Sequence, residues 1–170
     1  MKGHVFVNLV DKDVVLQIDS QKLTAGERWP LGACQRPGTM AIDHQNGRLF
    51  VGCANRLMAI LDANDGRLIT TVPIGEGRDE AAFDPKTRLV FSSNGEGTVT
   101  VIRQESADKY TVLETVKTER GAKNMALDLK THKIFLPLSD RGPAPPATAG
   151  NPSPQGSLIP GTFRILIFGM

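Results

Sequence analysis

Residues Gly38–Gly75 read GTMAID, HQNG, RLFVGC, ANR, LMAILD, ANDG and RLITTVPIG. Four short apolar runs, each six to nine residues long, are separated by polar turns. Leu49, Phe50 and Val51 join β-branched and aromatic side chains in a run short enough to be a strand buried on both faces. Asn46-Gly47 and Asp65-Gly66 supply the left-handed backbone that a tight hairpin needs. The stretch predicts one unit of four antiparallel strands.

The same plan recurs along the chain. After it come AAFD, RLVFSS, TVTVIR and YTVLETV, with Asn94-Gly95 as a further turn, and then MALD and KIFLPL. Before it, HVFVN matches RLFVG, VVLQID matches LMAILD, and the residues around Arg28, Trp29, Pro30 and Leu31 match the outermost strand. Aligning His4, Arg48, Arg88 and Lys133 gives spacings of 44, 40 and 45 residues, and Asp43, Asp84 and Asp128 give 41 and 44. A period of that size built of four strands is the signature of propeller blades. The expected fold is therefore all-β, a β-propeller of four-stranded antiparallel blades, with about three and a half blades in 170 residues. The boundaries are 1–37 for a partial blade without its innermost strand, 38–77 and 78–121 for full blades, and 122–170 for a last partial blade. The third unit carries a polar connection, QESADK, before its outer strand. Residues 142–160, rich in Pro, Gly, Ala and Ser, read as a mobile or extended insertion that cannot join a ladder.

Composition agrees. Seventeen glycines and eleven prolines against 5% aromatics point away from a helical bundle. Twenty basic and 18 acidic residues are interspersed and leave a net charge of +2, which gives no nucleic-acid footprint. No apolar run approaches the roughly 20 residues of a membrane helix, and no export signal is present in the chain as given.

Cys34 and Cys53 are too few for a disulfide framework or a four-ligand zinc site. If Asp43 opposes Arg48, Cys53 falls opposite Gly38, where the Cys34 loop enters. A bridge there would close a loop of about 20 residues and contribute roughly 3 kcal/mol. Two small buried hydrophobes are the alternative.

In a propeller, the loops entering the inner strands and those joining the second and third strands share one face. Here they carry Arg36, Asn55, Arg56, Arg78, Asp79, Asn94, Glu96, Arg120, Lys123 and Asn124. Arg36, Arg78 and Lys123 recur near one blade position, so a small anionic ligand is the expected guest, with a solvated loop face as the plain alternative. The aspartates Asp43, Asp84 and Asp128 read as strand-end turn formers. His4, His44 and His132 fall at a strand start and in turns on the opposite face, so no metal cluster is expected. Asp62–Gly66 is a hairpin turn, since no acidic twelfth ligand of a calcium loop follows. No cofactor motif stands in the sequence.

The phrases AIDHQNGRLFVGC, AFDPKTRLVFSSNGEGTVTVI and ALDLKTHKIFLPL, with an outer strand closing in VPIGEG, resemble the YVTN-type β-propellers, and within them the YncE-like proteins of bacteria. FVGC, VFSS and FLPL stand where the literal YVTN phrase would be, so the resemblance rests on repeat plan and spacing over nearly the whole chain. It implies similarity to the C-terminal half of a seven-bladed, exported protein roughly twice this length. It further implies a periplasmic or secreted home, which favours a Cys34–Cys53 bridge, and a binding or scaffolding role. The missing N-terminal half, or self-association, would complete the ring. The rival class is a propeller enzyme, either a quinoprotein-like oxidoreductase or a lactonase-like hydrolase. The first should show a docking tryptophan in every blade, whereas this chain has only Trp29. The second needs a central metal, for which Asp79, Asn94, Glu96 and Asn124 are the conceivable ligands.

Overall fold

The computed structural model describes residues 3–169; Met1, Lys2 and Met170, at the outer limits of the first and last units, lie outside them. Fourteen strands and no helix are found among the described residues. They form four antiparallel sheets in chain order: β1 to β3 (His4–Leu9, Val14–Asp19, Thr24–Pro30), β4 to β7 (Pro37–Asp43, Arg48–Cys53, Leu57–Asp62, Leu68–Pro73), β8 to β11 (Arg78–Asp84, Leu89–Asn94, Thr98–Ser106, Lys109–Lys117) and β12 to β14 (Ala126–Asp128, Lys133–Leu138, Arg164–Phe168). Each sheet is a meander whose spatial order is its sequence order. The sheets pack face to face in succession, with β4 beside β8 where adjoining sheets meet. This is a propeller-like arrangement.

Three apolar layers hold the four sheets. Val15, Trp29, Leu49, Val51 and Leu61 fill the first interface, and Phe50, Met58, Ile60, Val90 and Ile102 the second. Leu89, Phe91, Val99, Val101, Ile134 and Leu136 fill the third. Successive residues of β5 thus serve different interfaces, as the two-residue period of a strand requires. That is why β5 is buried along its whole length.

The hairpin turns share one construction. Asp43, Asp84 and Asp128 each sit at a strand end, and the Oδ1 atom of each accepts the backbone N–H two residues on, from Gln45, Lys86 and Lys130. The fourth residue after each aspartate then turns left-handed: Gly47 at φ 64°, Arg88 at 56° and His132 at 59°. Glycine takes that region without cost, whereas arginine and histidine are held there by the turn.

The strand pairing corrects three expectations. Asp84 pairs with Leu89, as Asp43 pairs with Arg48, so the equivalent of Arg48 is Leu89 and Arg88 is a turn residue. Cys53 pairs with Pro37 instead of Gly38, because Gly38 is the extra residue of a bulge between Pro37 and Thr39. A Cβ on Gly38 would lie 2.4 Å from the Arg78 Cζ, so only glycine leaves room for that guanidinium. The expected QESADK connection is mostly strand: β10 and β11 run nine residues each and turn at Ala107-Asp108. Gln104 explains the extension, since its buried amide bonds back to Asp43 of the preceding sheet.

Cys34 and Cys53 are joined, with Cα atoms 5.6 Å apart. In the Asn94-Gly95-Glu96-Gly97 turn the left-handed residue is Gly97, at φ 100°, and not Gly95. Residues 142–160 hold no ladder strand. The segment leaves and returns with its ends tied, Arg141 bridging to Leu158 and donating from Nη1 to Gly156 O at 2.9 Å.

Candidate functional site

The loop face predicted to carry function is assembled from the β3–β4, β5–β6, β7–β8, β9–β10, β11–β12 and β13–β14 connections. Arg36, with φ 52°, sits just before β4, where its N–H donates to Asp13 Oδ1 at 2.6 Å. Asn55 is used within the fold: its Oδ1 accepts from Gln35 N at 2.9 Å and its Nδ2 donates to Ala33 O at 2.7 Å. Arg56 occupies the left-handed place of its hairpin, and its side chain is exposed.

Arg78 opens β8, and its half-buried guanidinium crosses to the neighbouring sheet. Nη2 donates to Arg36 O at 2.7 Å, while Nε is buried without a hydrogen-bond partner. Burial pulls this guanidinium below the usual arginine value; Asp79 opposes that shift and the charge of Arg36 adds to it. Asp79 belongs to a bulge between Arg78 and Ala81, at the same inner-strand entrance as the Gly38 bulge. Bulges of this kind re-aim side chains at rims. Asp79 is engaged by Lys123 Nζ at 3.0 Å, so the Lys123 charge is matched inside the fold. Burial, reinforced by Asp79, raises the carboxyl of Glu80 above its ordinary value.

Asn94 faces inward. It is fully buried, donating from Nδ2 to Thr98 Oγ1 and Thr100 Oγ1, both at 3.1 Å, and accepting at Oδ1 from Ser92 Oγ at 3.2 Å. Both of its amide donors are taken, and its full burial keeps it from a ligand. Glu96 and Arg120 line a recess of about 250 Å³ with Glu76, Gly77 and Gly95, and Glu96 Oε1 accepts from Thr98 Oγ1 at 2.9 Å. Asn124 is exposed in the β11–β12 loop. The structure therefore gathers Arg36, Arg78, Asp79 and Lys123 at one corner and Glu96 with Arg120 at another, while Asn55 and Asn94 serve the scaffold.

Sequence reasoning missed three polar groups. Arg164 joins Glu119 and Asp140 on the loop face, its Nη1 lying 2.8 Å from Asp140 Oδ1. These partners raise its already high value. On the opposite face the strand-end aspartates tie sheet to sheet. Gln104 Nε2 donates to Asp43 Oδ2 at 2.9 Å, and His132 Nδ1 lies 2.6 Å from Asp84 Oδ2. Arg48 does the same from the second sheet to the third. A cleft of about 310 Å³ lies beside these ties, lined by Asp43, Asn46, Phe83, Arg88, Gln104 and Glu105 among others. The recurrence of aspartate at one blade position was the available signal, but its partner in the next unit lies 48 to 61 residues away and follows no common spacing. Among the described residues no group of three or more His, Cys, Asp or Glu side chains could hold a metal. No helix long and apolar enough to cross a membrane is found among them either.

No family model matches the chain, and no curated protein sequence matches it. Among solved structures it is similar to hydrazine synthase of Kuenenia stuttgartiensis, with a TM-score of 0.72 at 12% identity over 84% of this chain. The match covers 40% of that structure's chain, so this protein spans well under half of its length. At such low identity the likeness speaks for the fold alone.

Proposed function

We propose that this chain is a segment of a YncE-like β-propeller, about three and a half blades of a larger ring, that works extracytoplasmically as a binding module for a small anion. The Arg36–Arg78 corner carries the reading. Among the described residues neither guanidinium takes part in an ion pair, and Arg78 is half-buried beside a second positive charge with one N–H unmet. Asp79 offsets part of the repulsion between these two like charges but is itself paired with Lys123, so the guanidinium donors stay open to a bound anion, and arginine forks match carboxylate or phosphate oxygens. A protein partner offering an acidic side chain would use the same chemistry.

The enzyme readings have less to stand on. Trp29, where a quinoprotein docking residue would be sought, packs against Phe6 at 5.4 Å and covers the Gly66 turn. Of the residues a lactonase-type metal would need, Asn94 is sealed in its own network and Asp79 is held by Lys123.

Titration with inorganic phosphate and with citrate, followed calorimetrically at low salt, tests the proposal. Charge-assisted hydrogen bonds contribute about 1.5–3 kcal/mol each. Arg36→Gln and Arg78→Gln should therefore each weaken binding roughly tenfold to a hundredfold. Lys123→Gln should change it little. Absence of binding by either anion, or binding indifferent to Arg36 and Arg78, would overturn the assignment.

A further inference from the structure

The two ends of the stack present apolar faces whose residues occupy positions that are buried in the second and third sheets. Strand register fixes the equivalences. Asp43–Arg48, Asp84–Leu89 and Asp128–Lys133 are matching pairs, so Phe50, Phe91 and Phe135 are equivalent. Cross-strand pairing then makes Ile60, Val101 and Ile167 equivalent, as well as Met58, Val99 and Ile165. In the second and third sheets these side chains face the next sheet, and none is more than 5% exposed. In the fourth sheet Ile165 and Ile167 are 49% and 56% exposed, although the positions stay apolar.

The first sheet shows the complementary pattern. His4 pairs with Asp19 as Arg48 pairs with Asp62, which makes Val5 and Val7 the equivalents of Leu49 and Val51. Leu49 and Val51 face the preceding sheet and are fully buried, whereas Val5 and Val7 are 48% and 36% exposed. The fourth sheet thus offers a leading face and the first sheet a trailing face. The contact between a leading and a trailing face is made three times within the chain already.

We propose that the chain pairs head to tail with a second copy, the Phe135, Ile165 and Ile167 face of each seating on the Val5 and Val7 face of the other. Two such contacts related by a twofold axis close a ring of eight sheets, within the range that closed propellers use. The occupant is a second copy because the trailing face it presents is of the kind each leading face inside the chain already covers, a β-branched sheet surface. The inference depends on the propeller-like stack and not on the anion site, and the two fail separately, since anion binding is measured on another face.

Sedimentation velocity on the purified chain, over about a hundredfold range of concentration, tests it. The expected species has twice the 18.4 kDa chain mass and dissociates on dilution. Ile165→Glu with Ile167→Glu, and separately Val5→Glu with Val7→Glu, should each give a monomer. Because all four sites are exposed in the single chain, each variant should keep its β-sheet circular dichroism and its Cys34–Cys53 bridge. Ile165→Ser and Val7→Ser serve as milder substitutions if a double variant loses that signal. Mixing the two double variants should restore a two-chain species, since one leading face and one trailing face remain intact between them. A wild-type monomer at every concentration would overturn the proposal. So would a Val5/Val7 variant that dimerises like the wild type, which would mean that sheet four meets sheet four, and so would growth beyond two copies.

Discussion

Replacing Arg48 with methionine should cost about 3 kcal/mol of stability, the low end of what breaking a buried ion pair costs. Arg48 is 7% exposed and spends its donors on five acceptors: Asn46 O, Gly47 O, Ala107 O, Asp62 Oδ2 and Asp108 Oδ1, at 2.8 to 3.0 Å. Two of these belong to the β10–β11 hairpin tip, so the side chain bolts the second sheet to the third. Methionine fills most of the volume but leaves the nearly buried Asp62 carboxylate with only the exposed Arg67, 4.0 Å away, as its cation. The loss stays at the low end because Asn64 still donates to Asp62 from its backbone and side-chain nitrogens, both at 2.9 Å. Asp108 is 62% exposed at its side chain, and an ion pair there is worth at most about 1 kcal/mol. Urea unfolding of Arg48→Met, Asp62→Asn, Asp108→Asn and the corresponding double variants, all at one protein concentration, separates the two partners. The Arg48–Asp62 coupling should exceed the Arg48–Asp108 coupling by about 1 kcal/mol or more. An Arg48→Met cost below about 1 kcal/mol, or equal couplings, would show that the clamp is an ordinary surface pair.

Other perturbations have equally definite outcomes. Cys34 and Cys53 close a loop with a sequence separation of 19, so replacing both with serine should lower stability by about 3 kcal/mol; oxidised native protein with two alkylatable thiols would contradict the bridge. Asp43 and Asp84 are both held below the ordinary aspartate value: burial pushes each up, but hydrogen bonds, led by Gln104 for Asp43 and by His132 for Asp84, outweigh it. Because the folded value lies under the unfolded one, their contribution is complete above the unfolded aspartate value of about 4 and fades as pH falls through the lower folded value. Asp43→Asn should flatten the loss of stability below pH of about 4, and an unchanged acid limb would refute the link. Gly66→Ala should destabilise by about 2 kcal/mol, since φ is 73° and the new Cβ would meet the Trp29 ring at 2.1 to 2.3 Å. Gly150→Ala, with nothing within 4 Å, should be neutral by the same thermal melt.

Much of the architecture was legible because each strand states its own case. RLFVGC and LMAILD are short, apolar and bounded by turn residues, and the aspartate at each first-strand end opens a turn as expected. What misled was the choice of landmark. Arg48 and Arg88 look equivalent in the sequence, yet the turn DPKTR uses arginine at the left-handed position that DHQNG gives to glycine. The cross-strand pair therefore moves on by one residue. Likewise QES reads as polar connection by composition, and only the neighbouring sheet shows why a glutamine should be buried there.

The candidate site was legible only in outline, for a reason that lies in how sheets stack. A loop position can be assigned from the repeat, but whether its side chain is free depends on the adjoining sheet. Asn55 and Asn94 occupy predicted loop-face positions and are consumed by Ala33 and by the Thr98–Thr100 pair. Lys123 is matched by Asp79, 44 residues earlier, in the preceding sheet. Arg78 is the exception because Gly38, one sheet back, vacates the space that its guanidinium fills. Among the described residues the one hydrogen-bond acceptor it finds there is the carbonyl of another arginine. The same coupling between neighbours accounts for the stack's ends: apolar residues suit a sheet on either side, and the sequence at Ile165 and Ile167 keeps to that rule at the last sheet of the described residues.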